Sequence, residues 1–511
     1  MMLLTLLLPL LIAMLIVILT ARGLRIGRFY ACLASSTALS LSLIMMLLSV
    51  LRGIPAYEGY GWIRMGGLIV GFDLFLDWLN LPLAFAIASL CLVSSVYSFE
   101  YMKDKHDIEL YYALLLFYAV GMLGVTLSTN LIQFFLFFEA MNIPAYFLVS
   151  LWGTRKARVI GVKYILYMVA GGLCLLAGIL WFYSLTGTLD LNPPRGLLNG
   201  VDAFSARVIA FLMFVGFAVK MGVFPFHSWL PDFHGEAPVP IHALLSAVMI
   251  KLGAYGLIRV VFTFFPSVIK GWSPALSVLA LITMFWGALM ALVQRDFKRV
   301  LAYSSVNQMG YILLGISSLT PIGVVGGLYH MLTHGVAKGS LLYCAGSLVH
   351  SAGTKYIDKL GGLAWKMPIT ATVALIGALS IAGTPPLGGF ASELMLFTGT
   401  FEAGFHLVCL LGLASTALTA AYYLWTVRRM FFGERAWGLD ELYERYVKRI
   451  EIPDEGVPRP FEMVSESPLV MVVPMMLIAL FVTLLGVFPH LFLPPFKLAA
   501  DAILALMGGT P

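Results

Sequence analysis

The feature that most constrains this sequence is the recurrence of apolar stretches about 20 residues long, the length an α-helix needs to cross roughly 30 Å of hydrocarbon. They fall near 2–21, 30–51, 76–98, 111–127, 130–150, 161–185, 207–225, 238–264, 273–293, 301–317, 322–350, 368–400, 405–430 and 468–490. A chain built this way cannot bury its apolar surface around one water-soluble core. In lipid, each backbone N–H and C=O must be satisfied within its own segment, which selects helices. The expected fold is an all-α polytopic membrane protein of about 14 transmembrane helices. Only 11% of residues are charged, against roughly 25% in soluble domains.

The links between the stretches are short except at 52–75, 187–206 and 433–467, and none of these can hold a soluble domain. The first stretch has no basic leader, and Arg22, Arg25 and Arg28 follow it, so it reads as a span rather than a signal peptide. Five cysteines stand alone in or beside apolar runs, which argues against both a disulfide framework and an iron–sulfur site. The net charge of +6 is scattered between apolar runs, with no basic helix suited to a nucleic-acid partner.

Those scattered basic residues set an orientation. Loops after odd-numbered stretches hold 21 Lys and Arg, the densest group being Arg428, Arg429, Arg435, Arg445, Lys448, Arg449 and Arg459. Loops after even-numbered stretches hold six: Arg52, Arg64, Arg195, Arg207, Arg259 and Lys270. The positive-inside rule then places the odd loops in the cytoplasm and both termini outside the cell membrane.

Five charged residues lie where hydrocarbon is expected: Glu139, Lys220, Lys251, Lys338 and Glu393. At about 2.5–3.5 kcal/mol each, five unpaired charges cost on the order of 12–18 kcal/mol, as much as the whole stability of a typical domain. They must therefore be paired, hydrated or neutralised. Static salt bridges between helices are one solution. Three lysines against two glutamates on five separate stretches favour a path for ions, because buried pairs rarely repay their desolvation.

Two stretches are interrupted where charge appears. Lys220 precedes Pro225, Pro231 and Pro238, and Pro385 and Pro386 precede Glu393. Proline removes a backbone donor, and irregular backbone at membrane depth persists only beside protein or water. Paired breaks of this kind point to a transport site. A third element is the run His330, His334, Lys338, whose i, i+4, i+8 spacing lays all three on one helical stripe. Zinc is a competing reading of the two histidines, but no third ligand accompanies them, and a lysine in line suits a proton relay.

With these residues in place, the sequence resembles the antiporter-like subunits shared by respiratory complex I, multisubunit cation/proton antiporters and membrane-bound hydrogenases. The resemblance is carried by YSFEYM at 97–102, FFEAMNIPAYFLV at 137–149, KMGVFPFHSWLPDFHGEAP at 220–238, KLGAYGLIR at 251–259, ALVQRDFKRVLAYSSVNQMGYI at 291–312, HMLTHGVAKGSLLYCAGS at 330–347, GTPPLGGFASE at 383–393 and TAAYYLWTVRRMFFGE at 419–434. It implies two inverted five-helix repeats, each with one discontinuous helix. The corresponding organisation is N-terminal helices and an outer loop over 1–110, a first repeat over 111–264, a second over 273–432, a cytoplasmic loop over 433–467, and a last helix with its tail over 468–511.

The resemblance also implies roles. Glu139 and Lys220 form an ion-translocating pair, Lys251 is a bridge, His334 and Lys338 act as the relay, which His330 joins by its place on the same stripe and not by the resemblance, and Glu393 is the terminal station. Glutamate at that last position resembles the complex I subunit of middle position and the hydrogenase-type subunits. Physics supports such a scheme independently. Burial disfavours an ammonium and a nearby carboxylate restores it, so the Glu139–Lys220 separation sets how tightly Lys220 holds its proton. Opening that pair from about 4 to 7 Å weakens it by roughly 1.8 kcal/mol at an effective dielectric of 20.

The leading expectation is thus an ion-translocating subunit, moving protons or sodium ions, of a redox-driven complex of hydrogenase or complex I type. Such a subunit holds no cofactor, metal or redox centre of its own and is no enzyme alone. Its partners are homologous antiporter-like subunits, redox subunits carrying iron–sulfur clusters, and the lipid bilayer. The alternative is a subunit of a non-redox multisubunit cation/proton antiporter. An enzyme with its own active site finds no support, because the chain has no Walker loop, dinucleotide fingerprint or nucleophile elbow.

Overall fold

In the computed structural model, residues 1–65, 68–192, 198, 200–435, 438–448 and 458–507 are described. Arg195 and Arg449, counted above among the loop charges, lie outside them. The chain is predominantly helical: α1 Met2–Ala21, α2 Gly27–Leu51, α3 Leu81–Tyr101, α4 Ile108–Leu127, α5 Leu131–Ala140, α6 Asn142–Trp152, α7 Ala157–Thr186, α8 Ala203–Met221, α9 Trp229–Glu236, α10 Val239–Leu244 and α11 Ile250–Gly256. Then follow α12 Pro266–Leu292, α13 Phe297–Ser317, α14 Pro321–Ala352, α15 Pro368–Ile381, α16 Gly388–Glu402, α17 His406–Val427, α18 Gly438–Val447, α19 Leu469–Val487, α20 Pro489–Phe492 and α21 Pro494–Leu506.

Among the described residues, eleven helices are long and apolar enough to cross a membrane, with α5–α6 counted as one and 239–262 as another. The rest of the apolar stretches are polar or split. α13 carries Asn307 and Gln308, α14 carries His330, His334 and Lys338, and α15 and α16 are the halves of the stretch broken at Pro385 and Pro386.

Local chemistry sets several boundaries. The third helix begins at Leu81 rather than near 76, where Asp77 accepts the N–H groups of Leu79 and Asn80 (both 3.0 Å) and closes a turn that leads into it. Asp202 caps α8 by accepting from Phe204 and Ser205, and Asp296 caps α13 by accepting from Lys298 and Arg299. The link at 52–75 is not plain loop. Ala56–Glu58 pairs antiparallel with Leu74–Leu76, and Gly61–Met65 with Leu68–Gly71.

The connections fall into two groups by what they touch. In one, Asp77 pairs with Arg259 at 2.7 Å, Leu74 bridges Ser128, Asn130 bridges Asp190, Ser273 bonds the Ser317 carbonyl at 2.6 Å, and Thr320 bonds the Gly399 carbonyl at 3.1 Å. In the other, Gly27 N–H reaches Glu109 at 3.2 Å, Trp152 reaches the His106 carbonyl at 2.7 Å, and Thr154 N–H reaches the Glu236 carbonyl at 3.1 Å. Phe297 N–H meets the Lys355 carbonyl at 3.0 Å and Lys366 meets Glu462 at 3.1 Å in the same group. The first group joins links that follow even-numbered stretches, the second those that follow odd ones.

Candidate ion pathway

Glu139 lies in the last turn of α5, and the helix is interrupted at Met141 before α6 begins at Asn142. Lys220 lies in the last turn of α8, which Gly222 ends with φ +69°. A cation is well placed at a helix C-terminus, where backbone carbonyls lack intrahelical partners. The indole of Trp229, first residue of α9, satisfies one of them by donating to the Val219 carbonyl at 2.9 Å. Lys163 bonds the Ser228 carbonyl at 2.9 Å and Asp232 at 2.8 Å, which ties α9 to α7.

Glu139 and Lys220 do not touch. Asn142 stands between them: its Oδ1 accepts from Lys220 Nζ and from Tyr164 OH (2.9 Å), and its Nδ2 donates to Glu139 Oε2 at 3.2 Å. The wall behind them is one stripe of α7 at i, i+4, i+8. Tyr164 holds Asn142, the Met168 sulfur lies 3.8 Å from Lys220 Nζ, and a Cβ on Gly172 would come within 2.5 Å of Glu139 Oε1. The Phe138 ring centroid lies 5.0 Å from the ammonium. The direct pair expected from sequence is therefore a bridged one.

Lys251 sits in α11 between two π-helical segments, Leu245–Met249 and Leu257–Phe262. Such segments shift backbone hydrogen bonds to i→i+5 and recur at functional sites. Lys251 Nζ donates to the Ser246 carbonyl, five residues back, at 2.5 Å. Ser246 Oγ pairs with Ser305 Oγ at 2.7 Å, and the adjacent Ser304 accepts from Lys338 Nζ. Tyr423 OH lies 2.9 Å from Lys338 Nζ and 2.7 Å from Ser304 Oγ. Serines on α13 thus join Lys251 to Lys338, a connection sequence reasoning did not find.

His330 and His334 stack as the helical spacing requires, with centroids 5.9 Å apart and planes 6° apart. Both nitrogens of His330 are engaged, Nδ1 by Ser392 Oγ at 2.9 Å and Nε2 by Gln308 Oε1 at 2.7 Å. His334 is buried, and neither ring nitrogen has a hydrogen-bond partner among the described residues. A Cβ on Gly335 would lie 2.6 Å from the Ala247 carbonyl, so α14 presses on the first π segment beside His334.

Glu393 lies on α16, next to the Ser392 that binds His330. Its carboxylate is 4% exposed, faces the break at Gly383, and lines an open pocket with Phe390, Phe397, Cys409 and Thr416. Among the described residues, none of Glu139, Lys220, Lys251, Lys338 and Glu393 forms an ion pair within 4.0 Å. The ion pairs found lie nearer the helix ends, such as Arg259–Asp77 and Lys355–Asp296. Two further buried histidines, His234 and His242, face each other with centroids 4.9 Å apart. Their only sequence signal was proximity to the first break.

The fold and these residues define a class: a many-helix membrane protein with two broken helices and a row of buried polar and ionisable groups between them. The chain belongs to the NADH:quinone oxidoreductase/Mrp antiporter transmembrane family, which it matches over residues 128–419. It is 30% identical over 482 residues to the NADH-quinone oxidoreductase subunit M of Rickettsia felis, covering 93% of this chain and 92% of that one. Among solved structures, it superposes on a chain of respiratory complex I from Thermus thermophilus at 28% identity, TM-score 0.83, with all of both chains covered. It also shares the fold of a chain of the Mrp complex from a Dietzia species, at 23% identity, TM-score 0.84 and 99% of both chains.

Proposed function

We propose that this chain is an ion-translocating, antiporter-like subunit of a redox-driven membrane complex of hydrogenase or complex I type, moving protons, or sodium ions, from Glu139 and Lys220 through Lys251 to Lys338 and Glu393. The observation that carries this reading is the buried axis itself. Five ionisable groups lie along it without ion pairs among the described residues, and four of them, Glu139, Lys220, Lys251 and Lys338, are hydrogen-bonded to neutral partners. That is an arrangement for passing charge rather than for gluing helices.

The two groups of connections support fourteen crossings, because each intervening stretch runs from one group to the other. The balance of Lys and Arg supports a cytoplasmic face for the odd group and an outer position for both termini. Two inverted repeats, 111–264 and 273–432, are supported by matching breaks: Gly222 and Gly383 share a left-handed φ of +69° and +67°, each with a proline three residues on, Pro225 and Pro386. On this reading the chain holds no redox centre and depends on neighbours, homologous antiporter-like subunits and iron–sulfur subunits among them. Purification of the native complex tests it. Subunits carrying iron–sulfur clusters co-purify with the chain if the complex is redox-driven, and a complex free of them indicates the non-redox cation/proton antiporter instead.

A further inference from the structure

We propose that Asn142 is a positioning residue that keeps Glu139 and Lys220 one amide apart, and that Tyr164 fixes Asn142 in that place. The proposal rests on the function proposed above and adds how its first station is controlled.

Asn142 follows Glu139 by three residues across the interruption at Met141, so both side chains face the same side of the α5–α6 stretch. Its amide orientation is dictated by its neighbours. An ammonium and a hydroxyl both donate to one end, which must be oxygen, and a carboxylate accepts from the other, which must be N–H. All three contacts are therefore lost together if the amide turns. Among the described residues, Lys220 has no carboxylate in contact to replace it, and its other neighbours are the Met168 sulfur and the Phe138 ring.

A carboxamide neither gains nor loses a proton in the physiological range, so no proton crosses from Lys220 to Glu139 through it. It also spaces the two charges and weakens their attraction. When Asn142 swings aside, the pair closes and Lys220 holds its proton more tightly; when it returns, the proton is released more readily. The tether that decides between these states is Tyr164 OH, whose ring stacks on Phe233 of α9 at 4.0 Å and 5°. The second half of the broken helix is thereby linked to the charge pair. The ionisable groups around Asn142 are Glu139 on its own stretch, Lys220 from α8 and Tyr164 from α7, with Tyr118 of α4 facing Tyr164.

The test is the pH profile of ion uptake by the whole complex reconstituted in vesicles. Asn142→Asp puts a carboxylate against Lys220, and because Lys220 must release its proton in every cycle, the profile moves to higher pH by about one unit. Tyr164→Phe frees the amide and moves the profile in the same direction by less. Profiles of both variants that superimpose on the unsubstituted complex overturn the proposal, and if Asn142→Asp fails to assemble, an unmoved profile for Tyr164→Phe does so alone. Lys220→Ala in the same vesicles separates the two levels. Undiminished uptake there overturns the proposed function, whereas lost uptake there with unmoved Asn142 and Tyr164 profiles overturns only the role of Asn142.

Discussion

The backbone of Gly383 lies directly against the carboxylate of Glu393: a Cβ at 383 would fall 2.4 Å from Oε2. Gly383 also has φ +67°, a conformation open to glycine at no steric cost. The break at Gly383 and the buried Glu393 carboxylate are thus one structural unit. A side chain at 383 cannot be added without moving the carboxylate.

Gly383→Ala is accordingly expected to reduce ion uptake at least about 10-fold, since a displacement near 1 Å at a working group costs far more than the strain alone. Gly404→Ala is the control. Gly404 has φ +81° but open space around it, so its variant bears only the backbone strain, about 1–2 kcal/mol, and keeps its uptake. Rates measured side by side in vesicles check both.

Asp77 is expected to be a stability residue. It pairs with Arg259 at 2.7 Å and also turns the chain into α3, while Arg259 further bonds Tyr255 at 3.2 Å. Asp77→Ala strands a mostly buried guanidinium and should cost about 2–3 kcal/mol, less than a fully buried pair because both side chains retain some exposure. Asp77→Asn keeps the turn and loses only the charge, so thermal unfolding of the purified complex should rank it between Asp77→Ala and the parent.

Much of this architecture is legible in the sequence because hydropathy reports transfer into lipid, and transfer free energy is what decides which stretches become buried helices. The breaks at Pro225 and Pro386, the five intramembrane charges and the stripe from His330 to Lys338 all follow from residue type and spacing. What escaped depends on hydrogen-bond partners rather than on transfer. Asn142 stood inside a conspicuous apolar run, yet nothing in its spacing reveals that α7 brings Tyr164 to its oxygen. The π segments around Lys251, the first of which packs against Gly335, leave no local signature. The strand pairs in 56–76 are too short and glycine-rich to show a two-residue period.

Glu139 and Lys220 are expected to act as one unit. Glu139→Ala and Lys220→Ala should each abolish ion uptake with the complex assembled, and the double variant should be little worse than either single one, because residues in one network are non-additive. Loss of assembly in the single variants would instead favour a purely structural pair. Native electrophoresis alongside uptake rates distinguishes these outcomes.

The central claim is that one row of buried groups carries the ions, and Lys251 stands between Lys220 and Lys338 in it, fully buried and set towards Lys338 through Ser246, Ser305 and Ser304. Lys251→Met keeps the length and apolar stem of the side chain and removes the ammonium. Ion uptake by vesicles containing the assembled complex, driven by the complex's own reaction, is the direct measurement. The account predicts that uptake falls to background in Lys251→Met although Glu139, Lys220, Lys338 and Glu393 are all intact; undiminished uptake would contradict it.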